Sequence, residues 1–159
     1  MKGNKTILSV VVPCYNEQNT IKNCIEKLIG IKSKELSLEI VIVDDCSTDN
    51  SYLIASDLSK KFQEVSVFQH KINKGKGAAL RTGFAKVTGD YVAVQDADLE
   101  YDPNDLIKLL VPLQQNHAEV VLGSRFLSSG THRVLYFWHS IGNKFLTFLS
   151  NMFTDLNLT

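Results

Sequence analysis

ILSVVVP, from Ile7 to Pro13, and IVIVDD, from Ile40 to Asp45, are the two stretches that decide the fold. Each is a short, β-branched, almost uninterrupted apolar run, as expected of a strand covered on both faces in a parallel sheet. Between them Asn19-Thr20 offers a helix cap, and Ile21, Cys24, Ile25, Leu28 and Ile29 recur at three and four residues as far as Gly30. Strand, helix and strand make a βαβ unit. Outward from it the alternation continues: a helix from about Asp49 to Lys61, a strand from Val65 to Gln69, a helix from Gly77 to Val87 and a strand from Tyr91 to Gln95. Asp102-Pro103 supplies a cap and a first-turn proline for a helix toward Gln115 that contains Pro112, and Glu119 to Leu122 is expected to be a fifth strand. This alternation predicts an α/β fold with a doubly wound, mostly parallel sheet.

The chain of 159 residues is read as a single domain over residues 1–159, within the usual ~100–200 residues per domain. A composition 44% hydrophobic and 21% charged excludes disordered and collagen-like classes. With 17 Lys+Arg against 17 Asp+Glu and no basic run beyond a lysine pair, nothing points to nucleic acid, and any phosphate chemistry must come from placed residues. The longest apolar run is five residues, Val134 to Trp138, against the ~20 that cross a bilayer. Met1 to Thr6 leads into the first strand without the apolar stretch of a signal peptide, which predicts a cytoplasmic location. Cys14, Cys24 and Cys46 have no CxxC spacing and read as reduced packing thiols. Over residues 133–153, Val134, Trp138, Ile141, Phe145, Phe148 and Met152 fall at helical spacing, an amphipathic helix whose apolar face packs on the domain or meets another surface.

In open parallel sheets ligands sit beyond the carboxyl ends of the strands. Those positions are polar here: Pro13-Cys14-Tyr15-Asn16-Glu17, Asp44-Asp45, His70-Lys71, Gln95-Asp96-Ala97-Asp98 with Glu100, and Gly123-Ser124-Arg125. Asp96 and Asp98 form a D-x-D at a strand end, where residues two apart face one side ~7 Å from each other. Two such carboxylates can share a hard divalent cation, Mg²⁺ or Mn²⁺, which also binds a diphosphate. Asp44 and Asp45 can cap the next helix or accept hydrogen bonds from a base or ribose. Gly75-Lys76-Gly77 opens a helix but fits neither the Walker nor the dinucleotide pattern, so a tight turn with a solvated lysine and a phosphate contact both remain open. The four histidines have no ligand spacing, and Ser47 and Ser124 lie in no nucleophile elbow.

VVVPCYNE at Val10 to Glu17, IVIVDDCSTDNS at Ile40 to Ser51, NKGKGAALRTGF at Asn73 to Phe84 and GDYVAVQDADLEYDP at Gly89 to Pro103 together resemble family 2 glycosyltransferases. The ordered match runs from about Ile7 to Arg125. QDADLEYDP followed by GSR is most similar to the polyprenyl-phosphate branch, the dolichyl-phosphate mannose synthases and their bacterial relatives. The resemblance implies the nucleotide-sugar-binding fold called GT-A. It puts Pro13, Tyr15 and Glu17 around the donor's base and ribose, with Asp44 or Asp45 also on the nucleoside. Asp96 and Asp98 would hold the metal on the diphosphate, with Glu100 a third ligand and Ala97 in the donor site. Arg125 would meet the acceptor phosphate, assisted by Arg133. Relatives continue past the position of Thr159, so truncation at the carboxyl end is expected, with transmembrane segments or a peripheral contact placing the enzyme at the cytoplasmic face of a membrane.

The implied reaction is inverting, metal-dependent transfer of a hexose from a UDP- or GDP-sugar to a dolichyl or undecaprenyl phosphate. A phosphate acceptor, with a second pKa of ~6, is already largely anionic near neutral pH and needs no strong general base. The alternatives are a glycosyltransferase acting on a hydroxyl acceptor such as a cell-surface polysaccharide, and a nucleotide-sugar-binding module without turnover. A nucleotidyltransferase is disfavoured, because such enzymes usually carry a glycine-rich basic loop where this chain has Pro13 to Glu17.

Overall fold

β-Branched side chains pack well on a pleated surface, and in the computed structural model, which describes residues 5–123 and 137–154, both deciding runs are central strands. Strand β1 is Thr6–Cys14 and β2 is Leu36–Asp44; they pair in parallel from Thr6 opposite Leu36 to Cys14 opposite Asp44. Strand β3 (Val65–Gln69) pairs with β2, and β4 (Tyr91–Val94) with the other side of β1, all parallel, in the order β3-β2-β1-β4. Helices α1 (Ile21–Gly30), α2 (Ser51–Lys61) and α3 (Lys76–Phe84) form the crossovers, and α4 (Asn104–Gln114) follows β4.

The two-residue period of the strands divides the core. Leu8, Val10 and Val12 of β1, with Leu38, Ile40 and Ile42 of β2, meet Ile21, Ile25 and Leu28 of α1, Leu58 of α2, and Leu106 and Leu110 of α4. On the opposite face Val41 and Val43 meet Ala79 of α3. Helices therefore cover both faces, as doubly wound topology requires.

Helix α3 lies so close to β1 that a Cβ added at Gly83 would stand 2.3 Å from Cγ1 of Val11. Gly83→Ala gains up to ~1 kcal/mol in helix propensity but overpacks a stiff valine at about 1–3 kcal/mol, so a net loss of stability is expected in urea denaturation. On this same face the Ser9 hydroxyl donates to Glu39, whose carboxylate also accepts the Thr88 N–H (2.7 Å) and hydroxyl (2.9 Å), while the Gly89 N–H donates to Ser9 Oγ (2.9 Å). The turn before β4 is thereby tied to β1 and β2.

Several boundaries differ from the sequence reading: α3 spans Lys76–Phe84 rather than Gly77 to Val87, β4 ends at Val94 rather than Gln95, and two differences are larger. Strand β2 begins at Leu36 rather than Ile40, because Leu36 and Leu38 continue the inward alternation past the polar Ser37 and Glu39. Residues Glu119 to Leu122 are not a strand; Val120 and Leu122 are exposed. Four residues hold as a strand only where a neighbour accepts their ladder, and the described ladder stops at β4.

The chain divides into two compact units, residues 1–118, with the sheet and α1 to α4, and residues 119–159. In the second, helix α5 is Phe137–Thr154. Among the described residues no helix is long and apolar enough to cross a membrane.

Candidate functional site

The chain steps from β1 outward through β2 to β3, then returns to the far side of β1 as β4. The order thus reverses between β1 and β4, and the crevice beyond the carboxyl ends of strands at such a switch point is where ligands bind. A cleft of about 380 Å³ opens there, lined by Pro13, Tyr15, Glu17, Asp45, Asp96, Ala97 and Asp98 of the predicted set, together with Lys76 and Gly75. Arg125 and Arg133 lie outside the described residues.

Reciprocal hydrogen bonds stitch the loops after β1 and β2. The Asn16 N–H donates to Ser47 Oγ (2.9 Å), and Asn16 Oδ1 accepts the Thr48 N–H (2.9 Å). The Glu17 N–H donates to Ser51 Oγ (2.7 Å), the Gln18 N–H to Asp49 (3.2 Å), and Asp49 also accepts the Ser51 N–H (2.9 Å). Asn16 and Cys46 both have positive φ, +57° and +63°, which turns each loop sharply enough to bring them together. The polar run DDCSTDNS is thus largely a scaffold for PCYNE, and it holds the Glu17 backbone at the mouth of the cleft.

Asp45 is a hub. Its carboxylate accepts the N–H groups of Lys74 (3.0 Å) and Gly75 (2.6 Å), and Nδ1 of His70 lies 2.6 Å away. His70 Nε2 is 2.9 Å from the Thr82 hydroxyl of α3. Gly75 has φ +83°, a conformation that suits glycine, so the residue before Lys76 is set by both its own backbone and Asp45. Asp44 does not reach the cleft: it is fully buried, and Oδ2 accepts Ser47 N–H and Gln69 Nε2, each at 3.1 Å. Its Oδ1 has no partner among the described residues.

The D-x-D geometry differs from a strand end. β4 stops at Val94, and Ala97 and Asp98 form a turn, with Leu99 at φ +64°. Ala97 is buried in the main core and anchors the turn, so the two aspartates are set by a loop rather than by a pleat. The Lys76 ammonium reaches 2.6 Å from Asp96 Oδ1, and Asp98 accepts the Glu100 N–H at 3.0 Å. Glu100 does not line the cleft, and among the described residues no three metal-ligating side chains converge. The donor set still suits a hard cation held partly by a ligand's own oxygens: two carboxylates on one cleft wall, one already compensated by a cationic group.

Burial alone would raise the carboxyls of Glu39, Asp45 and Asp49, but hydrogen bonds outweigh it: Ser9 and Thr88 for Glu39, the Lys74 and Gly75 amides with His70 for Asp45, and Ser51 for Asp49. All three are held below their ordinary values of 4.5 and 3.8. Groups depressed in this way stabilise the fold fully above their unfolded pKa and cease to as pH falls through the folded one. Urea midpoints should therefore hold flat in this respect from pH 7 to about 5 and decline below about pH 4. Burial, with Asp44 beside one and Asp98 beside the other, pushes the Cys14 and Cys24 thiols up to about 12, consistent with inert packing groups.

Sequence reading missed the roles of Asn16, Ser47, Asp49, Ser51 and His70; Asn16 and Cys46, each amid polar turn residues, were the available signal for sharp turns. This parallel doubly wound domain, with an acidic loop at its switch-point cleft, has the GT-A fold. The model for "Glycosyl transferase family 2" matches residues 9–158, and the chain belongs to that family. The dolichol-phosphate mannosyltransferase of Pyrococcus furiosus is 34% identical over 123 residues, covering 77% of this chain and 34% of that protein. The UDP-N-acetylglucosamine–dolichyl-phosphate N-acetylglucosaminyltransferase of Methanococcus voltae is 29% identical over 159 residues, covering 91% of this chain and 62% of that one. The chain thus spans from a third to under two thirds of these relatives. Among solved structures, glucosyl-3-phosphoglycerate synthase from Mycobacterium tuberculosis, in complex with Mn²⁺, UDP and glucosyl-3-phosphoglycerate, superposes with a TM-score of 0.56 at 28% identity, over 70% of this chain and 40% of that one.

Proposed function

We propose that this chain carries the donor site of an inverting, metal-dependent glycosyltransferase that moves a hexose from a UDP- or GDP-sugar to a polyprenyl phosphate. The observation that carries this reading is the convergence of Glu17, Asp45, Asp96 and Asp98 on one cleft at the switch point. It is supported by relatives named for dolichyl-phosphate chemistry and by a solved neighbour holding UDP with Mn²⁺.

In this reading Pro13, Tyr15 and Glu17 enclose the base and ribose, and Asp45 both borders the nucleoside and fixes the loop opposite it. Asp44 acts from beneath, through Ser47 and Gln69. Asp96 and Asp98 hold Mg²⁺ or Mn²⁺ against the diphosphate, with Ala97 packing the turn between them and Glu100 adjoining. The metal, when bound, compensates the charge that develops on the departing diphosphate. An acceptor phosphate oxygen attacks the anomeric carbon from the side opposite the diphosphate, the bond from that carbon to the diphosphate breaks, and the configuration inverts. No proton need be removed, because the attacking oxygen is already anionic. Arg125 is assigned to the acceptor phosphate, where a guanidinium can bind two oxygens at once. The exposed Trp138, Phe145, Phe148 and Met152 of α5 are assigned to contact at the cytoplasmic face of a membrane.

Product formation tests the whole reading: the protein is incubated with UDP- and GDP-hexoses, Mn²⁺, and either polyprenyl phosphate or a polysaccharide acceptor. Glycosyl-lipid phosphate is the expected product. Transfer only to the hydroxyl-bearing polymer would replace the acceptor, and donor binding without any transfer would leave a binding module.

A further inference from the structure

Among the described residues lining the cleft, Lys76 is the one basic side chain. Its ammonium lies 2.6 Å from Oδ1 and 2.8 Å from Oδ2 of Asp96, spanning both oxygens of the carboxylate assigned to the metal. Its two ends differ in freedom. The backbone just before it is pinned by the Lys74 and Gly75 amides on Asp45, whereas the side chain is 59% exposed on a flexible four-carbon stem. The ammonium can therefore swing while its anchor stays fixed beside the cleft.

A divalent cation and an ammonium that share one carboxylate at contact distance repel each other. Entry of the metal weakens the hold of Asp96 on Lys76, and the new anionic group within reach is the donor's diphosphate. We propose that Lys76 is the resident counter-ion of Asp96, and that it passes to the donor's diphosphate when the metal enters, serving as a second cationic clamp on the leaving group. This rests on the donor-site reading above. It gives Lys76 opposite effects on two ligands: it competes with metal alone and favours the diphosphate.

The test is Lys76→Gln, which removes the charge from an exposed side chain, with Lys76→Arg as the charge-retaining control. Mn²⁺ affinity is measured by electron paramagnetic resonance without nucleotide, and UDP, GDP, uridine and guanosine are titrated calorimetrically in EDTA and in Mn²⁺. In Lys76→Gln, affinity for Mn²⁺ alone should rise about threefold. In saturating Mn²⁺, affinity for the nucleoside diphosphate that binds wild type should fall about tenfold, with the matching nucleoside unchanged and Lys76→Arg restoring most of the loss, whereas in EDTA, where Lys76 stays on Asp96, it should change little. Unchanged Mn²⁺ and diphosphate affinities would overturn the proposal and leave a solvated lysine. Equal weakening of nucleoside and diphosphate would also overturn it, since Lys76 would then only shape the loop. If wild type binds neither UDP nor GDP in Mn²⁺, the donor-site reading falls, and this inference falls with it.

Discussion

Replacing Asp98 with asparagine is expected to abolish the Mn²⁺-dependent part of nucleoside diphosphate binding and to lower hexosyl transfer by roughly a hundredfold or more. The amide keeps the shape of the side chain and an oxygen that can still accept the Glu100 N–H, the hydrogen bond that Asp98 makes in the turn. It loses the negative charge that makes a carboxylate a strong ligand for a hard cation. Asp98 is exposed, so the thermal midpoint should move little, separating ligand loss from unfolding. Asp96→Asn should also lose the metal-dependent increment, but by a mixed route, because it releases Lys76 from its partner as well. Calorimetric titration of UDP and GDP, each in Mn²⁺ and in EDTA, checks both variants. Equal affinity in the two media for wild type would remove the metal from the donor site.

The sheet was legible because its strands carry their environment in their composition. Strands covered on both faces have no polar side, so ILSVVVP and IVIVDD announce central positions, and the stripe from Ile21 to Ile29 announces the helix packed on them. The place of the site was legible too, since polar residues after successive parallel strands must gather at one edge. The partners within that edge were not. Asp45 takes partners 25 to 30 residues away, at His70, Lys74 and Gly75, and Lys76 takes one 20 residues away at Asp96. A capping aspartate, a ligand-binding aspartate and a loop-anchoring aspartate are the same letter, and only the fold decides among them. The turn at Asp96 to Asp98 was misjudged for a related reason: apolar alternation shows that β4 exists but not where it stops pairing. The run Glu119 to Leu122 has strand-like composition without a described neighbour to complete it.

Asp45→Ala is expected to be the most damaging single change in the site, to stability and donor binding together. It leaves the Lys74 and Gly75 amides and His70 Nδ1 without their acceptor in a region where Asp45 itself is only 3% exposed. Each orphaned donor costs about 1–3 kcal/mol, so with local relaxation a total near 3–5 kcal/mol is expected in urea denaturation. The same loss frees the loop that carries Lys76 and removes a wall of the cleft, so affinity for uridine or guanosine and for the diphosphate should both fall. Glu17→Ala is the informative contrast. Its backbone N–H to Ser51 survives the substitution, and its carboxylate accepts from Thr20 beside the cleft, so stability should change by about 1 kcal/mol or less while nucleoside affinity still drops. Asp45→Asn should fall between wild type and Asp45→Ala in stability, because one amide oxygen remains to accept from the loop. If Asp45→Ala binds nucleoside and diphosphate as wild type does, Asp45 is a structural anchor alone, and the donor's base must be recognised from the Pro13 to Glu17 side of the cleft.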